Sequence, residues 1–261
     1  MLGLGDAFLP LSCAGCGRPE RSGWCRGCDR ALAAATRSPR RAIPAGGGVD
    51  LPPVFVAAAY GGVLRAAVLA YKERGRRDLA PVLGVPLGVV VRYAAASASA
   101  PVLIVPVPAS RAAVRRRGFD HVRLAVTAAP GLPPPTDLLR WTRRVRDQGE
   151  LGAAQRISNV SGALRVRPRR RSERATAAGP APVLVLVDDV VTTGSTLREA
   201  VRACRSGGFV VAAAVALAAT RSVRVAGSAH LRQPPAQMDR TWLWSEDERS
   251  EEVRPGSARP A

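Results

Sequence analysis

The sequence predicts an α/β protein: a parallel-rich sheet flanked by helices, preceded by a small module built on four cysteines. Three observations lead there. Short runs of branched apolar residues alternate with helical patterns across about 160 residues, the rhythm of a parallel sheet whose strands are joined by helices. Within one run, Val183, Leu184, Val185, Leu186 and Val187 put apolar side chains on both faces, as a strand covered by a layer on each side must. Near the N-terminus, two Cys-x-x-Cys pairs stand eight residues apart.

Residues 1–33 form the expected cysteine module, with Cys13 and Cys16 as one pair and Cys25 and Cys28 as the other. Gly15 and Gly27 precede the second cysteine of each pair, so the backbone can fold tightly and turn both sulfurs toward one ion. Four thiolates at this spacing can close a tetrahedral Zn²⁺ site, here knuckle-like because the intervening loop is short for a zinc ribbon. Paired disulfides are the alternative. They suit an exported chain, and residues 1–13 lack the positive n-region of a signal peptide. With no histidine or open ligand position nearby, the zinc would be structural. Residues 34–53, rich in Pro, Gly and Arg, read as a linker.

The main domain is expected over 54–221. Residues 54–60 predict a strand, Gly61 and Gly62 a turn, and 63–72 and 79–93 two helices. A second buried strand covers 102–108 and is terminated by Pro106. A helix over 119–128 and strands over 138–142 and 162–166 follow. Strands at 183–187 and 210–217 close the domain, with a helix over 196–205 between them that carries Cys204 as a small buried residue. Residues 222–261 turn polar and acidic, a tail expected to be disordered in which Trp242, Leu243 and Trp244 could dock.

The formal charge of +19 comes almost entirely from arginine, Lys72 being the sole lysine. Such an excess implies polyanionic company, a pyrophosphate ligand or nucleic acid, or else a merely soluble basic surface. At 4% aromatics, a broad base-stacking platform is excluded. No membrane span is expected, since the apolar run at 83–91 is short and interrupted by Pro86 and Gly88. The chain reads as cytoplasmic.

Residues 183–196 carry the chemistry. Asp188 and Asp189 sit where the strand should end, followed by Thr192, Thr193, Gly194, Ser195 and Thr196 at the mouth of a helix. Ligands of open α/β sheets bind outside the carboxyl ends of strands. A hydroxyl-rich glycine turn there aims N–H groups and the helix dipole at an anion. Carboxylates repel phosphate and accept from sugar hydroxyls instead, so acids at one end and the turn at the other describe a phosphorylated ribose. An ordinary capped turn explains the valines but not the acids, and a Mg²⁺-dependent phosphatase would want a D-x-D spacing that is absent. After Pro106, residues Arg111, Arg115, Arg116 and Arg117 follow a strand end, a place suited to pyrophosphate, or else a solvated basic loop. His121 reads as a capping or surface residue.

The 183–196 segment resembles the phosphoribosyl pyrophosphate (PRPP) signature of type I phosphoribosyltransferases. Tyr60-Gly61-Gly62, Tyr71-Lys72 with Gly75, and the series Arg143, Gln148, Leu151, Arg156, Asn159-Val160 stand in order between the cysteine pairs and that signature. Taken together they make the chain similar, from residue 13 to 220, to the ComF family of competence-associated phosphoribosyltransferase-like proteins. The resemblance implies a type I phosphoribosyltransferase-like sheet. Asp188 and Asp189 would hold the ribose hydroxyls as the catalytic pair, and Val190, Thr192, Thr193, Gly194, Ser195 and Thr196 would complete the PRPP site. Lys72, Arg115, Arg116 and Arg117 would face pyrophosphate or DNA, Mg²⁺ would accompany PRPP, and residues 143–159 would act as a mobile lid.

Three departures stand out. A further Cys-x-x-Cys pair frequent in that family is missing, so one zinc is expected. Gly118-Phe119-Asp120-His121 replaces the usual G-F-N-Q, and the basic segment after Pro106 contains no lysine. Thr192 stands where oxopurine-specific relatives place an acid, which argues against hypoxanthine or guanine as acceptor. Three readings follow: a Mg²⁺-dependent transferase of 5-phosphoribose linked to DNA uptake, a PRPP or nucleotide sensor without turnover, and a single-stranded-DNA-binding factor in transformation. Neither the acceptor nor the oligomeric state is legible in the sequence.

Overall fold

The structure, a computed structural model of the 261-residue chain, describes residues 12–44, 51–145, 153–168 and 180–226. It is an α/β fold built on a six-stranded mixed sheet. In chain order, helix α1 (Arg26–Ala35) and strand β1 (Arg40–Ile43) lead into β2 (Val54–Ala59), α2 (Gly62–Glu73) and α3 (Ala80–Ala95). Then come β3 (Val102–Pro106), α4 (Arg111–Arg117), α5 (His121–Thr127), β4 (Leu139–Trp141), α6 (Ala153–Val160) and β5 (Leu164–Val166). The long strand β6 (Val183–Val191), α7 (Ser195–Ser206), β7 (Val211–Ala219) and β8 (Arg224–Val225) complete it.

The sheet order is β3-β6-β7-β2-β1-β8. The first four strands are mutually parallel, while β1 runs antiparallel to β2 and β8 antiparallel to β1. Period-two alternation along β6 divides the core, because successive side chains of a strand point to opposite faces. Val185 and Val187 join Leu83, Leu87 and Val122 under α2, α3 and α5, whereas Leu184 and Leu186 join Leu197, Ala200 and Leu164 under α7 and the β4–β5 ribbon. Helix α3 lies so close to α5 that a methyl on Gly84 would stand 2.8 Å from the carbonyl oxygen of Ala128. Among the described residues one helical stretch, Arg77–Ala95, is long and apolar enough to cross a membrane; 61% of its apolar window is buried in this fold.

Several expectations are revised. Segment 34–53, read as a linker, contributes β1 to the main sheet. Its sequence Arg-Arg-Ala-Ile lacks a strand signal of its own and takes its conformation from β2 and β8. The strands at 138–142 and 162–166 form a separate antiparallel pair, β4 and β5, rather than joining the main sheet. The basic segment after Pro106 is not a loop: Ser110 caps α4 by accepting from the Ala113 N–H at 3.2 Å, and Gly118 ends it at φ 79°. Strand β6 continues through both acids to Val191. The 222–261 tail, with Trp242, Leu243 and Trp244, lies outside the described residues beyond residue 226.

The cysteine module packs on the domain. Ala14 and Leu32 enter the core beside α2. Arg76 braces the contact by donating to the carbonyls of Ser12 at 3.3 Å and Gly23 at 3.1 Å, while Asp78 holds its guanidinium at 2.6 Å.

Candidate functional site

The carboxyl ends of β2, β3, β6 and β7 open onto one cleft of about 350 Å³. Helices follow β2 on one face of the sheet and β6 on the other, the kind of divergence that leaves a crevice above strand ends. Asp188, Asp189, Thr192, Gly194, Ser195 and Thr196 line it on the β6 side. Lys72 and Glu73 reach it from α2, Arg116 and Arg117 from α4, and Trp141 from the ribbon. The structure thus brings together the acids, the turn, Lys72 and two of the three predicted arginines. Arg115 is exposed and not on the cleft wall.

The acid pair is fixed by its own backbone. The Asp189 N–H donates to Asp188 Oδ1 at 2.8 Å, and the Val190 N–H donates to Asp189 Oδ1 at 2.6 Å. Asp189, 9% exposed, also receives Lys72 Nζ and His121 Nε2, each at 2.7 Å from Oδ2. These partners split the two acids. Burial, reinforced by the neighbouring charge of Asp189, pushes Asp188 up to about 8. Burial works to raise Asp189 as well, but the Lys72 ammonium and His121 hold its carboxyl well below the usual range. Lys72 in turn is raised by Asp189 against the opposing pull of burial. The two acids are thus driven apart, Asp188 toward its protonated form and Asp189 toward its charged form facing Lys72.

The turn after β6 has a geometry that only glycine tolerates at its centre. Gly194 adopts φ 76°, and a methyl there would lie 2.9 Å from Pro44 Cβ. Pro44, just past β1, is thus one wall of the turn. Arg198 Nη1 donates to the Thr193 carbonyl at 2.8 Å, and Ser222 Oγ donates to the Thr192 carbonyl at 3.3 Å, so two carbonyls face away from the cleft onto donors. Among the described residues, none accepts a hydrogen bond from the backbone N–H of Thr192, Thr193 or Gly194. The N-terminus of α7 has no side-chain cap. Unclaimed N–H groups at a helix start, with hydroxyls from Thr193 and Ser195 beside them, form a seat for an oxyanion.

His121 is neither a cap nor a surface residue. Asp120 is the cap of α5, and His121 is 6% exposed with its ring directed at Asp189. A signal existed in the sequence: His121, Val122, Ala125 and Val126 share the helical period of a buried face, which puts the imidazole inward. The aromatic wall of the cleft had no such signal; Trp141 depends on the ribbon and is set by its Nε1–H donating to the Pro108 carbonyl at 2.8 Å. The lid expected over 143–159 falls in part on residues 146–152, which with Gln148 and Leu151 lie outside the described residues. Arg143 is described and donates to the Ser161 carbonyl at 2.9 Å.

Away from the cleft, the sulfurs of Cys13, Cys16, Cys25 and Cys28 all lie within 4.8 Å of one another and could hold a metal ion. Gly15 permits this, since a methyl there would meet Cys28 Sγ at 2.6 Å. Burial works to raise the Cys13 thiol, but backbone N–H groups led by that of Cys25 pull it down to about 6, whereas burial and the neighbouring sulfurs push Cys28 up.

No family model matches the chain, and no curated protein matches it.

Proposed function

We propose that the cleft binds PRPP and that the protein is a phosphoribosyltransferase of the ComF type. The observation that carries this reading is that the Asp188–Asp189 pair and the 192–196 turn meet in one cleft, where the amides of Thr192, Thr193 and Gly194 have no acceptor among the described residues. The turn and the α7 N-terminus would take the 5′-phosphate, the acids the ribose hydroxyls, and Lys72, Arg116 and Arg117 the pyrophosphate. In the reaction, the bond between the anomeric carbon and the pyrophosphate oxygen breaks, its electron pair leaving with pyrophosphate. A lone pair of the acceptor forms the new bond to that carbon, and the proton shed by the acceptor passes to solvent. Positive charge gathers on the ribose ring meanwhile, and the charged Asp189 beside it lowers that cost.

Mg²⁺ bound with PRPP would add positive charge to the departing pyrophosphate. Asp188 and Asp189 are the carboxyls of the cleft nearest to where such an ion would act. For the cysteine cluster, structural zinc fits the chemistry of the donors. A tetrahedral ion with Zn–S bonds of about 2.3 Å needs sulfurs about 3.8 Å apart, and Cys16 Sγ lies 3.8 Å from Cys25 Sγ. Unbridged thiols also suit a cytoplasmic setting. The link to DNA uptake is what the resemblance to the ComF family implies.

Calorimetry with PRPP and Mg²⁺ tests the reading. The wild type should bind, and Gly194→Val, which would drive a side chain into Pro44 at a positive φ, should lose at least tenfold in affinity. Pyrophosphate release that requires an added acceptor and disappears in Asp189→Asn would mark the enzyme; binding without release would mark a sensor. Absence of PRPP binding, with tight salt-sensitive binding of single-stranded DNA instead, would overturn the proposal in favour of a DNA-uptake factor.

A further inference from the structure

Asp188 and Asp189 are held by unequal numbers of donors, and the inequality traces to Lys72 and His121. Each part of this residue is engaged. Its backbone carbonyl accepts from the buried Tyr71 hydroxyl at 2.9 Å. Its Nδ1 lies 3.2 Å from Arg117 Nη1 and its Nε2 lies 2.7 Å from Asp189 Oδ2. A guanidinium has only donors to offer, so Nδ1 must be the accepting nitrogen and Nε2 the one that carries hydrogen. The two contacts therefore select one neutral tautomer, with its N–H aimed at the carboxylate.

We infer that His121 is a positioning residue that immobilises Asp189 and thereby makes Asp188 the carboxyl that meets the ligand. Asp189 accepts from three donors, Lys72, His121 and the Val190 N–H. A carboxylate has about four lone-pair sites, which leaves roughly one for a ligand. Among the described residues, Asp188 accepts from the Asp189 N–H and meets the Asp189 carboxyl, with no cation or ring donor bonded to it, so it keeps more capacity for a ligand. Lys72 alone could not fix the anchor, because a flexible ammonium at the cleft mouth, 32% exposed, can turn toward an incoming phosphate. His121 cannot turn. Its ring is buried between Arg117, itself near Glu73 at 3.8 Å, and Asp189, with Tyr71 gripping its backbone. When Lys72 leaves for the ligand, the imidazole keeps Asp189 in place.

The assignment of Asp188 rests on the PRPP reading, while the hydrogen bonding of His121 does not. Two measurements on the full-length protein separate them. Nitrogen-15 NMR of labelled histidine should show one of the two histidines as the neutral tautomer protonated at Nε2, and that signal should be absent in His121→Gln and shifted in Asp189→Asn. In calorimetry with PRPP and Mg²⁺, His121→Gln keeps a side-chain N–H for Asp189 and should stay within about threefold of wild type. His121→Leu fills the same space with no donor and should lose about tenfold or more. A histidine protonated at Nδ1, or a leucine variant that binds PRPP as well as the glutamine variant, would overturn the role of His121. The expected tautomer with no PRPP binding by wild type would instead overturn the ligand reading, and Asp188 as its contact with it.

Discussion

Asp188 and Asp189 are adjacent, chemically identical side chains that the fold drives in opposite directions. Asp188 lacks a cation of its own and is raised by burial to about 8, from an ordinary value of 3.8. A group whose folded value is raised binds its proton more tightly in the native state. Its stabilising contribution is full below 3.8 and is lost as pH rises through about 8. Asp189, held low by Lys72 and His121, contributes in the opposite sense: its share is present above the ordinary aspartate range and is lost only on strong acidification. Asp188→Asn mimics the protonated acid, so the variant should gain on wild type between pH 6 and pH 9 by on the order of 1 kcal/mol or more, read as a widening gap in urea midpoints. An unchanging gap would show that Asp188 already ionises at pH 6. That the pair and the turn share one end of the strand was legible from Val183 through Thr196, because adjacent acids and a hydroxyl turn directly follow a buried apolar run. The division of labour within the pair was not. It depends on Lys72 and His121, which stand far from Asp189 along the chain and meet it only through packing.

At the scale of elements, the β4–β5 ribbon is attached to α7 in an unusual manner. Glu199 Oε1 accepts from the Leu164 N–H at 2.8 Å while Arg202 Nη2 donates to the Leu164 carbonyl at 2.9 Å. The two side chains thus take both main-chain groups of Leu164, as a neighbouring strand would, and grip each other at 2.7 Å. Glu199→Ala would leave a buried N–H without a partner and Arg202 without its counter-charge, a loss of about 2–4 kcal/mol in chemical denaturation. Burial works to raise Glu199, but Arg202 and the Leu164 N–H hold it below its ordinary 4.5, so this stability should persist at neutral pH and fade as pH drops below that value. Equal midpoints for wild type and variant would refute the clamp. Strands β2, β3, β6 and β7 were legible because apolar runs buried on both faces advertise themselves locally. From the sequence, helix α4 reads only as a basic segment or loop; Ser110 and Gly118 at its ends are the signals that could mark it, but its four arginines draw attention to charge. Strand β1 was not legible, since four basic-flanked residues become a strand only when distant partners supply the ladder. The ribbon strands are expected from the sequence at 138–142 and 162–166, and only their pairing apart from the main sheet is not.

For the whole molecule, the cysteine module works as a part of the domain. Leu32 and Ala14 share the core that α2 and α3 build, and Arg76 ties the module down at two carbonyls. Metal analysis should find one zinc per chain. Stripping it with a chelator, or substituting Cys13→Ser, should lower Tm by roughly 5–10 °C, the shift expected for a few kcal/mol in a domain of this size. A metal-free protein whose Tm ignores the chelator would refute this. The four cysteines made the cluster legible from spacing alone, but its seat against α2 was not, because Arg76 carries no mark that separates it from the many other arginines.

Pro44 links these levels. It follows β1 directly and stands against Gly194, so the polypeptide emerging from the cysteine module shapes the seat into which an oxyanion would settle. Cutting the chain ahead of β2 to discard the module would therefore also strip that seat of a wall. A shortened protein of this kind would misreport an intact chemistry as a missing one.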